Sequence, residues 1–173
     1  MLEDVFTKGS LIPNMNYMRR GVTGNGQERH VAGQEVTFGN ERCLFLPYSA
    51  NSMNYVLPQG KDVFSADFTG CVFIRYMHMD QMRIAHVATP EARPALDQMK
   101  QTPGTMVLNE FKPTDHLDMA KLGRGQGNDN RAEALGIITA TGDCFAVGGY
   151  RVNRGGQTSF RVAKLKKVNC ALV

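Results

Sequence analysis

The sequence predicts an α+β fold: an antiparallel or mixed β-sandwich core with one or two flanking helices. Three observations lead there. About six to eight short runs are rich in β-branched and aromatic residues. They follow one another in hairpin order, whereas a doubly wound parallel sheet would alternate strands with helices. A content of 42% hydrophobic and 21% charged residues over 173 positions is that of one globular domain able to bury a core.

The elements follow in chain order. Residues 1–34, with stretches such as NMNYMRRGVTGNGQERHVAGQ, show no period and are expected to form a flexible N-terminal arm. One β-rich domain is expected over 35–173. EVTFGNERCLFLPYS holds two short strands around Gly39-Asn40, a turn dipeptide. SMNYVLPQGKDVFSADF adds a short segment and a Pro-Gln-Gly turn. CVFIRYM (Cys71 to Met77) and MRIAHVA (Met82 to Ala88) read as partner strands. TPEARPALDQMKQ reads as a short helix with Thr89 as N-cap and Pro90 as its first residue. GTMVLNEF is another strand. PTDHLDMAKLGRGQGNDNRAEAL mixes a helical turn with a mobile glycine-rich loop, in which Gly123, Gly125 and Gly127 lack the order of a dinucleotide fingerprint. LGIITATGDCFAVGGYRV reads as a hairpin turning at Thr-Gly-Asp, and TSFRVAKLKKV as the last strand.

Charge narrows the partners only a little. The formal charge is +4, and the excess sits late: Arg151, Arg154, Arg161, Lys164, Lys166 and Lys167 carry it, with no acid from Arg151 onward. Such a stretch suits contact with phosphate or an acidic protein surface, or a solvated strand or tail. With no RNP-type motif, zinc-ligand spacing or aromatic-basic interleaving, nucleic acid is not the first partner to expect. No apolar run approaches the ~20 residues that span a bilayer, so no membrane partner is expected. The start, MLEDVFTKGS, lacks the basic and apolar regions of a signal peptide. Cys43, Cys71, Cys144 and Cys170 are widely spaced and are expected to be reduced thiols.

The Cys71 to Ala88 stretch raises a question of chemistry. A two-residue link at Met79-Asp80 pairs His78 with Gln81, and a four-residue link pairs Met77 with Met82. Both give one register, with Phe73 opposite His86 and Cys71 opposite Ala88. Cys71 and His86 then become diagonal neighbours on one face, with Cα atoms roughly 7–8 Å apart. A three-residue link would put them on opposite faces. On spacing alone, a cysteine and a histidine in apolar strands are core residues, the cysteine a small buried hydrophobe. In contact, they are a nucleophile and its base. Gly70 permits close backbone approach, and the Cys71 amide could then help to hold an oxyanion.

The motif FTGC followed by AHVAT resembles the catalytic domain of the cytotoxic necrotizing factor and the Burkholderia lethal factor, bacterial toxins with an L-S-G-C motif and a histidine a strand later. The bacterial chemoreceptor glutamine deamidase has a related layout. The likeness covers about 20 residues, with Phe68-Thr69 in place of Leu-Ser. It implies a deamidase-toxin-like β-sandwich with Cys71 as nucleophile, His86 as base, and backbone support from Thr69 and Gly70. The family's histidine orienter is often an upstream carbonyl or hydroxyl; Ser65, Asn51 and Asn54 are the candidates here. Asp115 beside His116 is a rival charge pair or a helix-start turn.

The resemblance implies a toxin or secreted effector that deamidates a protein glutamine through a thiolate-imidazolium pair and a thioester, needing no cofactor. The substrate would be a host protein, such as a Rho-type GTPase or a translation factor. It implies delivery without a cleaved signal and action in a target-cell cytoplasm. Two readings stand beside it: a cysteine amidase or peptidase with the same dyad, and a non-enzymatic β-rich binding module.

Overall fold

A computed structural model describes residues 1–124 and 131–170. The chain is β-rich, with two mixed sheets and three short helices. Helix α1 (Leu2–Val5) and strands β1 (Leu11–Ile12) and β2 (Glu28–His30) come first. Then follow β3 (Gln34–Phe38), β4 (Glu41–Leu46), β5 (Met53–Val56), β6 (Asp62–Ser65), β7 (Val72–His78) and β8 (Gln81–Val87). Helix α2 (Arg93–Gln101) leads into β9 (Thr105–Phe111), a 3₁₀ turn (Pro113–His116) and α3 (Met119–Arg124). The long strands β10 (Ala132–Ile138), β11 (Cys144–Arg154) and β12 (Gln157–Val168) finish the fold.

The larger sheet runs β1-β12-β11-β10-β6-β4-β3 and the smaller β2-β5-β8-β7-β9. Pairing is antiparallel except for β4 with β6 and β2 with β5. The sheets share a core in which Leu46, Val63, Ile138 and Ala146 of the larger sheet meet Val56, Phe73, Ile84 and Phe111 of the smaller. Alternation along β7 and β8 sends Val72, Ile74, Tyr76, Ala85 and Val87 to the other face, against Ala95, Leu96 and Met99 of α2. Neither face of this hairpin is therefore left to water, which is why both strands read as nearly continuous apolar runs.

Three expectations change. Residues 1–34 do not stand apart as an arm: Leu2, Phe6, Ile12, Met15 and Met18 are buried in the core beside Phe45, Phe64 and Phe160. Their spacing follows neither strand nor helix, so no period betrayed them. The helix after β8 begins at Arg93, with Ala92 as N-cap, and Thr89 caps nothing. The basic stretch is not one patch, because Arg151 is half-buried against Glu133 and Asp67, and Lys167 pairs with Asp143 at 3.3 Å. The glycine-rich loop from Gly125 onward lies outside the described residues. No helix among the described residues is long and apolar enough to cross a membrane.

Candidate active site

The β7–β8 link is the two-residue turn Met79-Asp80, both residues at positive φ (48° and 64°), as a mirror-image hairpin turn requires. It sets His78 opposite Gln81, Phe73 opposite His86 and Val72 opposite Val87. His86 and Cys71 thus share the face that looks into the space between the sheets. Phe68 and Phe73 lie there with Cys71, and His86 stacks on Phe68 at 4.0 Å with an interplanar angle of 6°. The Tyr48 ring lies tilted against the imidazole at 5.0 Å.

The imidazole is held from the opposite sheet. Ser65, the last residue of β6, puts its Oγ 2.7 Å from His86 Nδ1 and 2.6 Å from the Leu46 carbonyl oxygen. A carbonyl can only accept, so the single hydroxyl proton goes to Leu46. Ser65 Oγ must then accept from Nδ1, which carries the ring proton. Nε2 is left with its lone pair, buried and without a hydrogen-bond partner. Burial also pushes the His86 pKa down to about 3, so the ring is neutral at physiological pH. An orphaned acceptor of this kind costs stability and calls for an explanation.

Replacing Ser65 by alanine removes the acceptor of the Nδ1 proton. The expected cost is about 1–3 kcal/mol of unfolding free energy, read from urea titrations. An unchanged midpoint would mean that the bond contributes nothing.

Cys71 is 3% exposed. Burial raises its thiol pKa, opposed by the nearby backbone of Thr89 and Thr69; the charges of Glu91 and Asp67 raise it further. Cys71 and His86 make no hydrogen bond with each other, since Nε2 has no partner. The pair rests as a neutral thiol and a neutral imidazole.

The loop before the cysteine is tied down by charge. Asp67, at φ 62°, receives Arg151 at 3.7 Å, and Arg151 also binds Glu133 and the Met18 carbonyl oxygen. Asp67, Phe68, Thr69, Glu133, Arg151 and Asn153 border a cleft of about 400 Å³ beside the loop. Neither Cys71 nor His86 lines it.

The remaining candidates separate. Asn54 lies opposite His86 on β5 but spends its amide on the Pro47 carbonyl oxygen (3.0 Å) and Ser49 Oγ (2.9 Å). Asn51 is a turn residue at φ 59°. Asp115 and His116 belong to the 3₁₀ turn, where His116 sits edge-on to Phe111. Burial pushes the Cys43 thiol up to about 12. Cys170 is different: it is partly exposed, and its neighbour Cys144 is the main cause lowering its thiol pKa. Among the described residues, no group of three or more His, Cys, Asp or Glu is arranged to hold a metal ion.

Sequence reasoning missed Tyr48, Arg151 and the side chain of Thr89. Only Thr89 carried a signal, within AHVAT, and helix-capping logic misassigned it. No protein-family model matches the chain, and no curated protein or solved structure is significantly similar to it.

Proposed function

We propose that the chain is a cysteine-dependent protein glutamine deamidase, a toxin or secreted effector related in mechanism to the cytotoxic necrotizing factor group. The observation that carries this reading is the His86 imidazole, with Nδ1 fastened to Ser65 and the Nε2 lone pair held free in the interior, one diagonal step from a cysteine. A core histidine would have both nitrogens satisfied. A general base needs one nitrogen oriented and the other available.

The neutral resting pair sets the order of events. Nε2 takes the Cys71 proton as the sulfur attacks the side-chain carboxamide carbon of a glutamine. The C–S bond forms and the carbonyl π electrons move to oxygen, where backbone N–H groups near Gly70-Cys71 offset the charge. Collapse breaks the C–N bond, and His86 returns its proton to the departing ammonia. Water then gives a proton to Nε2 and attacks the thioester carbonyl. The C–S bond breaks, the sulfur recovers the proton, and glutamate remains. Contact between Sγ and Nε2 tightens when substrate is bound, as catalytic hydrogen bonds often do.

The test is peptide mass mapping of a eukaryotic cell lysate incubated with the chain. The expected result is glutamine converted to glutamate at specific sites, a gain of about one dalton, with the target chains uncut. New chain termini would make the chain a peptidase, and an unchanged proteome would favour a binding module.

A further inference from the structure

Thr89 lies three residues after His86, at the end of the strand that carries the base. Its hydroxyl donates to the Gly70 carbonyl oxygen at 2.8 Å, and its backbone is near enough to the Cys71 thiol to lower its pKa. The hydroxyl thus ties the end of β8 to the peptide that precedes the nucleophile. Gly70 sits at φ 119°, a conformation that residues with a Cβ rarely adopt, and no atom beyond its chain neighbours lies within 4 Å of where its Cβ would be. Packing does not pin this glycine, so the Thr89 hydroxyl is the described restraint on its carbonyl. A trans peptide fixes its N–H opposite its C=O, so the direction of the Gly70 carbonyl also fixes that of the Cys71 amide.

From this geometry we infer that Thr89 is a positioning residue for the Cys71–His86 reaction: it locks the Gly70-Cys71 peptide so that the sulfur keeps its place on the face it shares with His86 and the Cys71 N–H faces the developing oxyanion. The inference rests on the deamidase reading of that pair. Without the hydroxyl, the glycine peptide can rotate and the sulfur drifts from the base.

The experiment follows iodoacetamide alkylation of Cys71 at pH 7 in the full chain. Peptide mapping counts each thiol separately, because Cys170 is expected to label in every variant. Thr89→Val should slow Cys71 labelling roughly five- to tenfold, the effect of one ordinary hydrogen bond, whereas Thr89→Ser should stay within roughly twofold of wild type. In a His86→Ala background, Thr89→Val should cause no further slowing, since it acts through the same pair. Labelling of Thr89→Val at the wild-type rate overturns the inference. So does equal slowing with and without His86, which would mark Thr89 as merely structural. Thr89→Ala, with the same expected outcome, serves if the valine variant does not fold. Equal Cys71 labelling in wild type and His86→Ala is a separate result: it overturns the dyad itself, and the positioning role with it.

Discussion

Cys71→Ser should lose glutamine turnover by at least ~10³-fold while keeping its fold, because replacing a nucleophile that works as a unit with its base removes nearly all of the covalent route. His86 is a weak base, held neutral by burial to a pKa of about 3. It can draw a proton from a thiol during attack, but a serine hydroxyl is far less acidic and its oxygen less polarisable. The fold should persist because serine differs from cysteine by one atom of similar size, and its hydroxyl can pair with the backbone around it. Turnover and thermal midpoint measured on one preparation separate the effects. A serine variant with wild-type turnover would show that Cys71 is not the nucleophile.

The second large effect is acid instability. Unfolded, His86 takes up a proton near pH 6.5, whereas folded it stays neutral down to about 3. Between these values the unfolded chain binds one more proton than the folded chain, so acid favours unfolding. The stabilising contribution of neutral His86 is fully present above about pH 6.5 and declines by up to ~1.4 kcal/mol per pH unit below it. Asp67 acts in the opposite direction, since burial first and then Glu133 raise its carboxyl pKa. Comparison with His86→Phe, which keeps a ring against Phe68 and Tyr48, cancels that common term. Urea unfolding from pH 7 to pH 4 should show the stability of wild type falling relative to the variant as pH drops. Parallel curves would mean that the ring is not held neutral.

How far the sequence could be read depended on whether a feature was local. The β7–β8 register was legible because alternation and a two-residue link leave little choice of pairing, and it set Phe73 opposite His86. The strands around Gly39-Asn40 and Thr-Gly-Asp were legible from their turn residues. Ser65 could be named as a hydroxyl upstream of the cysteine, but local pattern could not single it out, because its contact with His86 crosses from one sheet to the other. Thr89 was misread since a Thr-Pro pair before a helix fits a cap locally, and only the tertiary approach of Gly70 redirects its hydroxyl. Leu2, Phe6, Ile12, Met15 and Met18 anchor the N-terminal segment one at a time, so no period could announce their burial. Tyr48 comes to His86 from a distant loop and left no trace in the sequence, whereas Arg151 was legible only as a basic residue and not as the partner of Asp67.

The identity of His86 as an oriented base can be read most directly from the nitrogen resonances of histidine-labelled protein at pH 7. The proton should reside on Nδ1, Nε2 should be unprotonated, and the Nε2 resonance should move when Cys71 is replaced by alanine. A ring protonated on Nε2, or an Nε2 resonance indifferent to the loss of the thiol, would contradict the dyad.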